Sequence, residues 1–466
     1  MKTRLNPVAR ALVGLTLLLC PGLSIGIAGQ TVSQAPPTVS GEAAELQSLL
    51  DQHRYIEFDD KLVATDPAHL TGPQTLYFSG MLAFHMGLLD AAAPRFLRAV
   101  NTDTSHSLTP AQNSEALLVL GEINFKLYSY VGAARMYGMI NLGQHPGPQA
   151  QAILDNQKLS ELLVKVPPQT IELTENFTLL PASTSSPMGA EYPVSIPDHA
   201  VSGTPLLTRF DTGAEISLLS ATTAKAWGVT MLQGAATLIG AGGGTFEAHP
   251  GFLPTLTIGK AQLHNVAVYV AADQNLYIAQ LKLQLNATLG YPVMHALGRL
   301  TFMQDGSLHV EAKSPQRDPH STTLWLDDHA LLIELGTKPV FKGTALVNVT
   351  DDRLFILDTG SGSTVLTDRY LAEHKDFFSG LALETGTLSG NDGVHAIANY
   401  QVHRLPLFVG ESGVFLLDGQ HVFAQPMHGP MEDYFGIIGQ DILRRLPGYI
   451  IDFRTMTFSV VHDAAK

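Results

Sequence analysis

The sequence predicts a multidomain chain of α plus all-β class, in which an N-terminal helical-repeat domain is followed by two pseudo-symmetric β-barrel lobes. Three observations predict it. Apolar residues recur at helical spacing from Gly41 to about Lys165. Beyond Pro167-Pro168 the pattern changes to short alternating or wholly apolar runs punctuated by Gly, Pro, Asn and Asp. The tripeptide Asp-Thr-Gly occurs twice, at Asp211-Thr212-Gly213 and Asp358-Thr359-Gly360. Each copy closes an apolar run and precedes a small residue, Ala214 or Ser361.

Taken in order, residues 1–29 read as a secretory signal. Lys2, Arg4 and Arg10 form a basic start, residues 11–19 a short apolar run, and Gly26-Ile27-Ala28-Gly29 a small-residue cleavage region. The expected location is therefore periplasmic or secreted, with membrane anchoring by an uncleaved N-terminal segment as the alternative. No later segment is apolar for long enough to predict a stable membrane span. Cys20, the sole cysteine, lies inside the signal, so a cleaved chain has no thiol for disulfides or metal ligation. The 18 histidines are scattered without an H-E-x-x-H pattern, and neither a metal nor a cofactor is expected. The formal net charge of −14 becomes more acidic once the basic start is removed, which argues against nucleic acid as a partner.

Residues 30–40 read as a flexible leader and 41–166 as the helical domain. Within it, two stretches resemble each other at an offset of 41: Gly80 with Gly121, Phe84 with Phe125, Ala92-Ala93 with Ala133-Ala134, and Phe96 with Tyr137. Small residues at close helix crossings, with aromatic rings filling the gaps, resemble tetratricopeptide repeats. A polar insertion at 101–110 accounts for the excess over the usual repeat length, and 149–163 reads as a capping helix. The domain is expected either to recruit a protein partner or to act as a cap packed on the β lobes.

A Ser/Thr/Pro-rich stretch at 182–187 lies in the linker, residues 167–189. Lobe one is expected at 190–320 and lobe two at 321–466. In lobe one, a hairpin of 192–196 and 205–210 delivers Asp211. In lobe two, 345–349 and 354–357, joined by a turn at 350–353, deliver Asp358. Ser220 and Thr367 are placed to cap the short helices that follow each loop. The segment with Gly240, Gly242, Gly243 and Gly244 lacks the lysine and the strand-to-helix setting of a phosphate cradle, and glycines between strands suit a mobile hairpin. Gly390 and Gly393 mark its counterpart in lobe two. The segment 410–423 has no assigned place.

Two aspartates held face to face at the tips of buried strands cannot both ionise cheaply, so they share a proton. One can then act as base on a water while the other donates to a carbonyl oxygen. Glycine permits the sharp turn, and threonine supplies a local hydrogen bond. These D-T-G-[SA] loops resemble those of aspartic proteases, the retropepsin branch in particular. Ile437-Ile438-Gly439-Gln440-Asp441 is similar to the apolar-apolar-Gly motif and short helix that close a retropepsin domain, and Leu289-Gly290-Tyr291-Pro292 is a weaker match. The two copies are offset by 147 residues at the aspartate and 149 at the closing glycine.

The resemblance implies lobes of acid-protease type forming an internal pseudo-dimer in a monomer. It implies Asp211 and Asp358 as the catalytic pair, Thr212 and Thr359 cross-bonding beneath them, and Gly213 and Gly360 shaping the loops. It also implies an aspartic endopeptidase acting on protein or peptide substrates. Arg209 stands where the family has an apolar residue, Pro292 stands opposite Asp441, and a flap tyrosine has no clear counterpart. A non-catalytic peptide-binding or scaffold protein, using the helical repeats and a relic groove, is the alternative. With Ala214 opposite Ser361, one carboxylate lacks a neighbouring hydroxyl. The pair is accordingly expected to titrate high and to give a mildly acidic optimum.

Overall fold

The computed structural model describes residues 41–461 together with Leu18 and Leu19, apart from 105, 146, 198–205, 240–244, 280, 314–316, 328–329, 343–344, 391–392, 410–412 and 425–432. Nearly all of the expected signal, the whole leader, and Gly240, Gly242, Gly243 and Gly244 lie outside the described residues.

Seven α-helices open the described chain: α1 (Gly41–Asp51), α2 (Tyr55–Ala64), α3 (Gly72–His85), α4 (Leu89–Thr102), α5 (Pro110–Lys126), α6 (Tyr130–Tyr137) and α7 (Gly147–Leu163). Helices α3 and α5 start alike. Thr71 with Gln74, and Thr109 with Gln112, form reciprocal capping boxes that satisfy the free N–H groups of each first turn. A Cβ on Gly80 would lie 3.0 Å from the Phe96 ring, and one on Gly121 would lie 2.5 Å from the Tyr137 ring. The repeated glycines are thus the sites where α3 meets α4 and α5 meets α6. The polar stretch between α4 and α5 is tied together by Asp103, which accepts from the Ser107 amide at 2.7 Å and the Leu108 amide at 3.0 Å.

The β region contains one strand order twice. In the first half, Tyr192–Val194 pairs antiparallel with Leu206–Phe210, which pairs parallel with Ala287–Leu289. That strand is antiparallel to Ser217–Ser220, which is parallel to Ala261–Ala271. The order continues antiparallel to Thr245–Ile258 and then to Ala236–Ile239. In the second half the sequence of senses is the same: Ala330–Lys342, Ala345–Leu357, Gly436–Ile438, Val365–Leu366, Gln420–Phe423, Gly393–Val402 and Leu383–Gly390. Register repeats too. Arg209 and Phe210 stand opposite Thr288 and Leu289, as Ile356 and Leu357 stand opposite Ile437 and Ile438. The halves join in a shared sheet, where Arg299–Met303 pairs with Gly448–Asp452 and the Arg299 guanidinium donates to Asp452 at 3.2 Å.

The helices pack directly on this β region. The Tyr55 hydroxyl donates to Asp327 at 3.1 Å, His85 Nδ1 lies 2.9 Å from the Leu326 carbonyl, and the Tyr55 and His85 rings stack at 3.8 Å. On the other half, the Tyr128 hydroxyl donates to the Pro292 carbonyl at 2.8 Å. One continuous buried cluster runs from Ala43, Phe58 and Phe84 through Trp325 to Phe458.

Three local expectations are corrected. Ala345–Leu357 is one strand of 13 residues with no turn at 350–353, and its partner is Ala330–Lys342. The polar Asp352 and Arg353 extend the ladder, and Arg353 pairs with Glu373 at 2.8 Å over the Phe435 ring. Thr367 occupies the cap position of Asp368–Glu373, but its hydroxyl donates to the Tyr434 carbonyl at 2.7 Å. The unassigned segment at 410–423 supplies Gly413–Leu417, paired with Leu405–Val409, and Gln420–Phe423, an integral strand of the second half.

Candidate active site

Each Asp-Thr-Gly copy sits just past the end of a strand, pinned by the neighbouring parallel strand. The Asp211 amide donates to the Leu289 carbonyl at 3.0 Å and the Asp358 amide to the Ile438 carbonyl at 3.1 Å. The closing glycines receive the loops. A Cβ on Gly290 would lie 2.4 Å from the Ala214 carbonyl oxygen, and one on Gly439 would lie 2.6 Å from the Ser363 carbonyl oxygen. Next in the chain, the Tyr291 amide donates to the Ala214 carbonyl and the Gln440 amide to the Ser361 carbonyl, both at 2.8 Å.

The two loops grip one another. The Thr212 amide donates to the Thr359 hydroxyl oxygen at 3.1 Å, and the Thr359 amide donates to the Thr212 hydroxyl oxygen at 3.0 Å. Each hydroxyl passes its own proton across, Thr359 to the Phe210 carbonyl at 3.0 Å and Thr212 to the Leu357 carbonyl. All four groups are buried, so each bond satisfies a polar atom that would otherwise be stranded. The loops approach so closely that a Cβ on Gly360 would lie 2.2 Å from Asp211 Cγ, and one on Gly213 would lie 2.9 Å from Asp358 Cγ.

Asp211 and Asp358 are both 0% exposed. Each inner oxygen is held by its own loop: Asp211 Oδ1 by the Gly213 amide at 2.8 Å, and Asp358 Oδ1 by the Gly360 and Ser361 amides, both at 2.9 Å. The Oδ2 oxygens receive no donor from the surrounding protein, and the two carboxyls are close enough to hydrogen-bond each other once one is protonated. Burial raises both carboxyls. Asp211 is pushed well above the ordinary range by burial and then by the charge of Asp358, while Asp358 is pushed up to about 6 by burial. Both carboxyls are thus raised, and the pair is arranged to hold one proton between them.

The expected role of Ser361 is corrected in its agent. Its hydroxyl donates to the Ser363 carbonyl at 2.9 Å and does not touch the carboxylate. The extra donor to Asp358 is the Ser361 main-chain amide, whereas the Ala214 amide bonds the Asp211 carbonyl at 3.3 Å. The asymmetry survives through main-chain geometry.

Gly390 and Gly393 face each other at the end of the hairpin Leu383–Gly390/Gly393–Val402. In strand order this hairpin occupies the place that Ala236–Ile239/Thr245–Ile258 holds in the first half. Several contacts around the loops carry no sequence signal of their own. Gln440 Nε2 donates to the Thr359 carbonyl at 2.7 Å, and Asp441 accepts from the Thr364 amide at 2.8 Å and from Gln420 at 2.9 Å. Arg209, 1% exposed, pairs with Glu191 at 2.7 Å. The one available hint was a lone arginine in an apolar strand. Among the described residues no group of three or more His, Cys, Asp or Glu is placed to hold a metal, and no helix is long and apolar enough to cross a membrane.

Residues 198–293, which contain the first loop, match the family model for aspartyl protease. The match supports a retropepsin-like aspartic protease domain and a peptidase-type hydrolytic function. Comparison with curated proteins finds no match.

Proposed function

We propose that this protein is an aspartic endopeptidase in which Asp211 and Asp358, one from each half, form a single catalytic dyad across a pseudo-twofold axis. The observation that carries the reading is the reciprocal Thr212–Thr359 grip. It seats two buried carboxyls against each other, each with an outer oxygen that receives no donor from the surrounding protein. A water between the two carboxyls is activated by the ionised member of the pair. The other, which retains the shared proton, donates it to the carbonyl oxygen of the scissile peptide as water attacks. The tetrahedral intermediate collapses with proton transfer to the departing amine, without a covalent enzyme intermediate.

Peptide lies extended between the two hairpins, which exclude bulk water when closed. Both aspartates are buried, and residues 187–189 lie along the seam beside the loops, so peptide entry requires this cover to move. The signal-like N-terminus supports a periplasmic or secreted location, with an uncleaved membrane anchor as the alternative, and the helical domain is the proposed surface for any protein partner.

The test is digestion of a peptide library across pH 3–8 by wild type, Asp211→Asn and Asp358→Asn. Loss of cleavage by about 10³-fold or more is expected in both variants. Full activity in either one refutes the dyad.

A further inference from the structure

Arg209 lies in the strand that delivers Asp211, two residues before it, and its charge acts on the Asp211 carboxyl. The register places Ile356 at the corresponding position in the other half. Arg209 is therefore a buried cation beside the Asp211 loop, where the matching position beside Asp358 is apolar.

Its fork is poorly filled. A guanidinium offers five N–H donors. Nη2 reaches Glu191 Oε1 at 2.7 Å, Nη1 reaches only the Met188 thioether at 3.7 Å, and Nε has no partner at all. A buried charged donor without an acceptor is costly, and sulfur is a weak one. Nε–H lies on the same edge as Nη2, beside Glu191, while the Nη1 edge faces only sulfur, so a carboxylate brought there would replace a weak acceptor by a strong, charged one.

What covers this edge is a loop, residues 183–191, pinched at its base by main-chain bonds between Ser183 and Glu191. Its tip lies along the seam. The Pro187 carbonyl oxygen is 3.4 Å from where a Cβ on Gly362 would sit, and Gly189 packs beside the Thr359 carbonyl. Arg444 donates to the Ser186 carbonyl, bringing a second positive charge to the same loop. The Met188 side chain is held by packing with Ala214, Ile216 and Leu238 and by that one weak contact to Arg209. A peptide side chain with a better acceptor can replace it.

We propose that Arg209 is a specificity-determining residue that receives the carboxylate of a peptide Asp or Glu side chain beside the scissile bond, in the place Met188 fills here. This rests on the endopeptidase reading and adds the substrate class: acidic peptides, oriented by one arginine on the Asp211 side.

The test uses N-acetylated, C-amidated peptides in matched Glu/Gln and Asp/Asn pairs at each position around the cleavage site. Two quantities are read: kcat/KM for cleavage, and Kd by calorimetry for uncleavable hydroxyethylene analogues of the same sequences. Wild type is expected to favour the acidic member by about 10- to 100-fold at one position, the span of a charge-assisted hydrogen bond. In Arg209→Met with Glu191→Gln, which removes both charges of the pair together, the ratio is expected to fall to within about twofold. Arg209→Lys, which keeps the charge without the fork, is expected to hold an intermediate ratio.

Equal binding of acidic and amide members by wild type overturns the proposal, as does a preference that persists in the double variant. Peptides with free C-termini form a parallel arm, and a preference that tracks the terminal carboxylate also overturns it. If nothing is cleaved but the analogues still bind with the acidic preference, the subsite stands and the endopeptidase reading falls.

Discussion

At the residue scale, the two aspartates differ because two amides reach Asp358 and one reaches Asp211. Burial raises both, and for Asp211 the charge of Asp358 adds to it. The proposed dyad needs one carboxyl ionised and the other protonated, so kcat/KM is expected to rise through about pH 6 and to fall at higher pH as the shared proton is lost. This lies at the upper edge of the mildly acidic optimum read from Ala214 and Ser361, and a maximum below about pH 3 would contradict it. Stability has the opposite slope. A carboxyl raised on folding stabilises below its unfolded value of 3.8, and that contribution is lost as pH rises through the folded value of about 6. Asp358→Asn is therefore expected to raise Tm at pH 7, on the order of 5 °C by differential scanning calorimetry, with little change at pH 4. An equal gain at both values would show that burial of the charge is not the cause. Thr359→Val removes an acceptor for the Thr212 amide and a donor to the Phe210 carbonyl. It is expected to cost about 2–5 kcal/mol in denaturant unfolding. The aspartates, threonines and glycines were legible because they come twice at a near-constant offset. Glu191 and Met188 were not, since partners 18 and 21 residues away, at the junction of linker and lobe, have no periodicity to announce them.

At the element scale, close approach sets the constraints. Gly360→Ala would push a methyl to 2.2 Å from Asp211 Cγ and is expected to lower kcat by on the order of 10²-fold or more, even where the protein still folds by circular dichroism. In the helical domain, Gly121→Ala meets the Tyr137 ring at 2.5 Å and Gly80→Ala meets the Phe96 ring at 3.0 Å. The first is expected to cost about 1–3 kcal/mol, the second less, and Tyr137→Leu should recover part of the first loss; strict additivity of the two changes would rule out this contact as the source. The offset of 41 between these glycines was readable because each is fixed by an aromatic ring on the next helix. The strand Ala345–Leu357 reads as two shorter strands because Asp352 and Arg353 look like turn residues. Their compensation, Glu373 and the face of Phe435, lies in other elements and cannot be read locally.

At the scale of the whole molecule, a twice-used strand order places two loops tip to tip, and the helices close the outside through Tyr55, His85 and Tyr128. Because Phe58, Phe84, Trp325 and Phe458 belong to one buried cluster, deleting residues 41–166 strips apolar cover from the β region. A lower Tm and increased binding of a hydrophobic dye are expected for the shortened chain; an unchanged melting curve would mean that the helices are a detachable appendage. The sequence pattern separates the helical and β regions well, but their mutual packing rests on side chains far apart in the chain and was not legible. Joining both halves in one polypeptide has a further consequence. An assembly of two identical subunits must present the same wall to either side of a bound peptide, so it cannot tell head from tail by its own chemistry. Here Arg209 stands in one half where the other has Ile356. Covalent joining has let the two halves diverge, so under the proposed specificity a strand entering in reverse would meet the wrong neighbour at its central bond.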